Sequence, residues 1–493
     1  MLTHTLGFPR IGLHRELKRA LEAYWAGARD DEHLLTSARE RRSASVFEFV
    51  KPEEALFACA HELRSHHWRL QQAAGVDLIP VGDFSLYDHV LDTVCMLGAV
   101  PERFEWRSDL NHVDLPTYLR MARGEGGVLP MEMSKWFDTN YHYIVPEFHP
   151  EQTFRLASTQ ILDHVREAKE QGIRAKAVLL GPLTFLKLGK PTVENFDPLD
   201  HMEAILAVYE QVLKRLAGQV EWIQIDEPVL VLDLTEKEQL LFRLASERLI
   251  KAASPAKILL ATYFGALSEN TSLTCMPPVA TIHVDLVRAP NQLDHILETI
   301  AEDQVLSLGV VNGRNVWRAD ADAALATIDR AAKAIGHERL MIGTSCSLLH
   351  TPIDLEPETG LDPEIRSWLA FAKQKCGELR MLADAASGAS TDSVLASLEE
   401  NRDAWRSRRI SQRVTNPSVR ERLAQVTDEA MRRRSPYERR KAIQQVRLNL
   451  PLLPTTTIGS FPQTDEIRAA RRRFKVGKIG VAEYTAAMHG FIR

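Results

Sequence analysis

Between Thr5 and about Ala385, short apolar runs alternate with longer stretches in which apolar residues return every three or four positions. The first kind predicts strands and the second amphipathic helices. Strands are expected at Thr5–Phe8, Val76–Val81, Lys176–Leu180, Trp222–Ile225, Ile258–Thr262, Thr281–Leu286, Val305–Val311 and Leu340–Gly343. Runs such as Ala177-Val178-Leu179-Leu180 and Ile258-Leu259-Leu260 do not alternate with polar residues, which marks strands covered on both faces. Helices are expected at His201–Leu216, Lys237–Ala252, Asp320–Ile335 and Pro363–Leu382. Regular strand–helix alternation is the signature of parallel β/α units, and eight of them predict an α/β fold, a TIM-like (β/α)8 barrel. A ninth candidate, Met133–Phe137, is one too many for a barrel and is set aside. An open doubly wound sheet is the rival, but no Gly-rich phosphate loop follows the first strand.

The pattern changes after residue 390. From Arg402 to Arg447 there are 14 Arg or Lys against 5 Asp or Glu, with strong helix formers and few large apolar residues. This predicts a basic helical linker or strut. A nucleic-acid-binding arm is the rival, and the scarcity of aromatic residues for base stacking counts against it. Pro451, Pro454 and Thr455-Thr456-Thr457 then open a unit that repeats the start of the chain. Thr5-Leu6-Gly7-Phe8-Pro9-Arg10 precedes a charged helix pattern, and Thr457-Ile458-Gly459-Ser460-Phe461-Pro462 precedes another. So widely spaced a repeat points to two homologous domains rather than a solenoid. The expected layout is a barrel over 1–390, the linker over 391–450, and over 451–493 the first β/α elements of a second, incomplete barrel.

Bulk properties narrow the class. The chain is 45% apolar and 26% charged, as in ordinary globular proteins, and its formal charge of −5 argues against bulk attraction to nucleic acid or anionic lipid. Five scattered cysteines with no Cys-x-x-Cys pair suit reduced thiols rather than a disulfide frame or a structural zinc knot. No uncharged apolar run is long enough to span a bilayer, and the N-terminus lacks a signal-peptide layout. A cytoplasmic protein without membrane or nucleic-acid partners is expected.

In a barrel, chemistry sits where strands end. Gln224-Ile225-Asp226-Glu227-Pro228 places two carboxylates at such an end, where they could grip an ammonium group or share a proton. Equally, they could cap the next helix or pair with Arg314. His283 and Cys346 lack the spacing of a metal site, and a hydrogen-bonded core His and an inert core Cys are the favoured readings. Met131 and Met133 read as packing residues. Arg15, Lys18 and Arg19 on the first helix read, by themselves, as a solvated face. Lys135, set between Met133 and Trp136-Phe137 and close to Tyr141-His142-Tyr143, suits an anionic ligand with a flat ring system.

Taken together, Thr5–Arg10, Pro80–Asp83, Lys135–Pro146, Gly181–Thr184, Ile225–Pro228, Asn312–Arg318, Ser345–Pro352 and Thr455–Thr464 resemble cobalamin-independent methionine synthase along the whole chain. The resemblance implies two face-to-face (β/α)8 barrels and a monomeric enzyme that uses zinc but no cobalamin. It implies methyl transfer from 5-methyltetrahydrofolate polyglutamate to homocysteine, giving methionine. By the same resemblance, Arg15, Glu16, Leu17, Lys18 and Lys135 would bind the folate polyglutamate, a tail of carboxylates that needs several cations. Ile458, Gly459 and Ser460 would bind homocysteine. The family's zinc ligands (a His and a Cys two apart, a Glu and a further Cys) and its catalytic acid His match no residues here, so neither a catalytic residue nor a metal ligand is expected in this chain. Where the first barrel would carry His-x-Cys it reads Ala261-Thr262-Tyr263, and Cys346 reads as a relic. The chain alone is therefore expected to be inactive, and a non-catalytic folate-polyglutamate-binding or scaffold module is the alternative. The stretch Arg41–Ala60 looks inserted relative to the family pattern.

Overall fold

Eight parallel strands close around one core in the computed structural model, which describes residues 1–26, 51–106, 112–389, 391–457, 459 and 463–492. The strands are β1 (Leu2–His4), β2 (Ile79–Val81), β3 (Ala175–Leu180), β4 (Trp222–Asp226), β5 (Lys257–Ala261), β6 (Thr281–Asp285), β7 (Val305–Val311) and β8 (Leu340–Thr344). From β2 to β8 each pairs with the next. β8 returns to β1 in the register Leu2↔Met341, Thr3↔Ile342 and His4↔Gly343. The last seam is closed by the bridge His4↔Leu78, where the Leu78 amide donates to the Thr3 carbonyl. The strands are mostly buried on both faces; Ala177–Leu180 and Ile258–Leu260 are apolar as expected, whereas Thr281–Asp285 alternates and buries its polar residues too.

The expected first strand, Thr5–Phe8, is a correction: the strand is Leu2–His4, and Thr5–Phe8 forms the loop above it. Its backbone groups are taken by side chains instead of a ladder. The Thr5 carbonyl accepts from Lys176 Nζ (2.9 Å) and the Leu6 carbonyl from Gln224 Nε2 (3.1 Å), while the Phe8 amide donates to Asp83 Oδ2 (2.7 Å). The segment set aside, Met133–Lys135, is indeed outside the barrel sheet and pairs antiparallel with His142–Ile144 as a hairpin.

The helix Asp392–Ile410, expected within the linker, packs on the barrel. Asn401 Nδ2 (3.0 Å) and Trp405 Nε1 (2.9 Å) both donate to the Ala319 carbonyl, and the Arg408 guanidinium lies 3.9 Å over the Trp317 ring. Arg402 forks onto Asp322 and Arg413 reaches Asp362 and Glu364. The chain accordingly divides into compact units at 414/415, inside the expected linker. The second unit, Thr415–Arg493, contains the helices Pro417–Ala424, Tyr437–Leu448, Asp465–Lys475 and Val481–Ile492. The last two are joined by stacking of Phe474 on Tyr484 (4.6 Å). Among its described residues no strand forms, and Ile458 and Ser460, the expected homocysteine-binding residues, lie outside the described residues. Of the stretch that looks inserted, residues 41–50 also lie outside them, while the rest enters the helix Pro52–Ala73 and buries Leu56 and Ala60.

Candidate functional site

Inside the barrel, β1, β3, β6 and β7 aim polar side chains at one another. Lys176 Nζ lies 2.8 Å from His4 Nδ1, His4 Nε2 lies 2.6 Å from Ser307 Oγ, and His283 Nδ1 lies 2.8 Å from the same hydroxyl. All four residues are fully buried. Burial holds His4 well below the usual imidazole range and His283 down at about 3, so both rings are neutral, and it lowers Lys176 to about 7. His283 is thus the hydrogen-bonded core residue expected, although its Nε2 finds no partner. Gly309 and Gly343 make the room, since a Cβ on either would press on these rings.

Above this layer the strand ends open into a cleft of about 900 Å³, open mouth included. Asp83 after β2, Asp226 at the end of β4 and Asp92 on the helix His89–Leu97 all line it. Burial raises each of these carboxyls to about 7. Asp226 accepts from Gln224 Nε2 (2.7 Å) and the Tyr263 hydroxyl (3.1 Å), and Asp92 from the Tyr118 hydroxyl (2.7 Å). Glu227, its chain neighbour, is used differently. It is buried and accepts from the amides of Leu183 (3.0 Å) and Thr184 (2.8 Å) and from the Thr184 hydroxyl (2.6 Å), which caps the helix Pro182–Leu188. Gly181 is required there, because a Cβ would collide with the Glu227 side chain. Neither Asp226 nor Glu227 caps the next helix with its side chain, as one of the open readings expected: Glu227 holds the start of an earlier one. Arg314 is committed elsewhere.

The hairpin between β2 and β3 covers the cleft. Trp136 lies edge-on to His89 (4.5 Å), Phe137 meets Phe264 (5.7 Å), and Phe264 meets His350 (5.9 Å). Phe137 and Phe264 both hold left-handed backbone (φ 51° and 76°), a conformation costly for bulky residues and one that aims their rings at each other. Asp138 at the hairpin tip is clasped by Arg288 after β6 (2.6 Å) and Arg314 after β7 (2.9 Å). Of the rings near Lys135, Trp136 lines the cleft, whereas Lys135 itself is exposed and Met133 is exposed rather than packed.

A second, cationic feature sits on the turn entering the helix Glu16–Ala26. Gly12 (φ 87°) and Arg15 (φ 63°) are left-handed, the Arg15 amide donates to the Gly12 carbonyl, and the Leu17 amide to the Ile11 carbonyl. Glu16 Oε2 accepts from the His14 amide (3.0 Å), and Leu17 is fully buried. Glu16 and Leu17 thus hold the turn, and Arg15, Lys18 and Arg19 are exposed on it. Lys18 has a loose pairing with Glu22 (3.7 Å), while Arg15 and Lys135 have no ion-pair partner among the described residues. The helix and the hairpin both meet the helix Leu115–Arg123: the Arg123 guanidinium lies 3.7 Å over the Trp25 ring, and the Met131 amide donates to the Met121 carbonyl. Gly459, from the expected homocysteine loop, is exposed.

The described residues of this barrel do not fit the zinc that the resemblance implies. They contain no group of three or more His, Cys, Asp or Glu able to hold a metal ion. Cys346 is buried with its thiol raised far above the usual range, and His283 is spent on Ser307. The buried Lys176–His4–Ser307–His283 ladder and the placement of Asp92 in the cleft were missed by sequence reasoning. A lone Lys inside Ala175–Leu180, a run covered on both faces, was the available signal.

Comparison with known proteins follows this geometry. The description "Cobalamin-independent synthase, N-terminal domain" matches residues 2–51 and 47–336, and "Cobalamin-independent synthase, Catalytic domain" matches 453–493. A 5-methyltetrahydropteroyltriglutamate–homocysteine methyltransferase of Syntrophotalea carbinolica is 50% identical over 496 residues, covering 100% of this chain and 62% of its own length. Enzymes of the same name from Parvibaculum lavamentivorans (50% over 493 residues, 99% and 61%) and Caulobacter vibrioides (49% over 502, 98% and 61%) are similar to it as well. The chain thus spans about three fifths of the length of these relatives. In fold it is similar to a B12-independent methionine synthase from Shewanella sp. W3-18-1 (TM-score 0.50, 16% identity, 70% of this chain and 92% of that one).

Proposed function

The chain belongs to the cobalamin-independent synthase family, and on that premise we propose that it serves methyl transfer from 5-methyltetrahydrofolate polyglutamate to homocysteine. In this reading the first barrel supplies the half of the folate site that holds the polyglutamate tail. The protein works in the cytoplasm as a monomer, without cobalamin. On the same reading the first barrel takes no part in holding the metal that activates homocysteine, whose ligands its described residues do not supply.

The observation that carries the tail assignment is the exposed cationic turn. Arg15 and Lys18 stand on a turn pinned by buried Leu17 and by the Glu16 carboxylate, with Arg15 and Lys135 free of ion-pair partners among the described residues. A string of carboxylates gains most from cations that do not first have to be released from a neighbour. Glu16 and Leu17 contribute shape rather than contact. Gly459 offers a backbone that a small amino acid can approach closely, and with Ile458 and Ser460 it forms the proposed homocysteine loop.

The test is folate binding to the chain by calorimetry at low and at physiological salt. Arg15→Ala, Lys18→Ala or Lys135→Ala should each weaken triglutamate binding by ~0.2–1 kcal/mol, as exposed ion pairs do, and leave monoglutamate binding unchanged. The difference should shrink as salt rises. Equal losses for both folates would show that these residues do not read the tail. The alternative, a module that binds the tail without catalysis, predicts the same binding but no methyl transfer in the whole protein.

A further inference from the structure

The cleft at the barrel mouth is separate from the cationic turn and opposite in character. We infer that it is a binding site for a small organic ammonium ion, of about amino-acid size, held between the Asp83 and Asp226 carboxylates and the rings of Trp136, Tyr263 and Phe264. No Lys or Arg lines the cleft, and none of Asp83, Asp92 and Asp226 has a salt bridge among the described residues. Asp83 and Asp226 therefore share one neighbouring ammonium, Lys176, whose Nζ is directed to His4 and the Thr5 carbonyl, while the cation near Asp92 is Arg10. Asp226 keeps acceptor capacity beyond its bonds to Gln224 and Tyr263, since a carboxylate can accept about four hydrogen bonds. Aromatic faces add the attraction that rings offer a cation.

A second observation points the same way. His164 is nine-tenths buried, lines the cleft, and leaves Nδ1 without a hydrogen-bond partner. Burial keeps its ring neutral, so Nδ1 can accept from an N–H group. Carboxylates, an imidazole nitrogen and rings together ask for a ligand that donates hydrogen bonds and carries positive charge. About 100 Å³ of the cleft can be occupied by water-sized groups, several times what one water needs, so it suits a small molecule rather than a bare ion.

The pH dependence has one sign. Asp226 faces Lys176, Glu227 and the Tyr263 hydroxyl; Asp83 faces Lys176 and Asp226; Asp92 faces Asp88, Arg10 and Tyr118. Between pH 6 and pH 8 the three carboxyls ionise and Lys176 loses its proton, both making the cleft more negative. Burial holds His350 down at about 4, neutral throughout, and lowers His89 as well. An alkylammonium stays charged across this range.

The experiment titrates the 493-residue chain with n-butylammonium and, separately, with n-butanol, at pH 6 and pH 8, following heat and tryptophan fluorescence. Binding of the amine should be about tenfold or more tighter at pH 8 than at pH 6, about tenfold weaker in Asp226→Asn, and at least tenfold tighter than that of butanol. Its fluorescence response should vanish in Trp136→Phe. Equal binding of amine and alcohol, an unchanged affinity in a folded Asp226→Asn, or no amine binding at pH 8 would each overturn the inference. Should Asp226→Asn fail to fold, Asp83→Asn and the pH comparison on the unmodified chain decide the matter.

Discussion

Glu227 gives a prediction whose sign depends on pH. Its carboxyl is buried, caps the helix Pro182–Leu188 through three hydrogen bonds, and is raised from 4.5 to about 7 mainly by burial. In Glu227→Ala two buried amides and a hydroxyl lose their acceptor, which costs ~1–3 kcal/mol per stranded group, or ~3–9 kcal/mol in all. Against this stands the cost of ionising a buried acid. A group whose folded value lies above its unfolded value favours folding most at low pH, and that contribution is lost as pH rises from about 4.5 to 7. At pH 8 the ionised carboxylate costs ~3 kcal/mol, and at pH 5 less than ~1 kcal/mol. The substitution removes that cost, so it should destabilise the barrel by ~2 kcal/mol more at pH 5 than at pH 8. Urea unfolding of both proteins at the two pH values, compared by linear extrapolation, measures the difference. Equal destabilisation at both pH values, or a larger loss at pH 8, would refute the reasoning and make Glu227 an ordinary ionised cap.

Two other expectations are simpler to check. Asn401→Ala leaves the Ala321 amide without its side-chain acceptor and the Ala319 carbonyl with only Trp405. It should cost ~1–3 kcal/mol in denaturant unfolding, whereas Arg402→Ala, which removes an exposed pair, should cost less than ~1 kcal/mol. Equal costs would mean that the helix is held by its charges and not by its buried amide. Zinc measured on the purified 493-residue polypeptide should stay far below one per chain; stoichiometric metal with methyl transfer would point to His283 and Cys346 as ligands after all.

The barrel was legible because strands covered on both faces tend to form apolar runs, as Ala177–Leu180 and Ile258–Leu260 do. The first strand was misplaced because local composition cannot tell a ladder from a loop whose backbone is bonded by Lys176, Gln224 and Asp83, residues far away in the chain. The same limit separates Asp226 from Glu227. They are adjacent and chemically alike, yet one meets the cleft and the other meets Thr184, 43 positions earlier. The cations of the first turn were visible as residue types. That Leu17 and Glu16 support them was not, because burial and a bond to the His14 amide are properties of the fold. The hairpin was half legible: its first strand was noticed, but its partner His142–Ile144 and the clasp on Asp138 were not.

The seam of the barrel also sets the order in which it can be made. β1 leaves the ribosome first, but its main partner is β8, and Leu2 must wait for Met341. At ordinary rates of synthesis that interval is about 20–70 s. Until then β1 is held from its other edge, where the Thr3 carbonyl takes the Leu78 amide and Asp77 takes the Thr3 amide and hydroxyl, and from the barrel interior by Lys176, which reaches His4. Once Asp77 and Lys176 have been synthesised, those bonds can pin a three-residue strand that is too short to template pairing with another chain. The polar residues of β1 then act as a place-holder for the nascent protein, keeping the opening strand available until the closing one arrives.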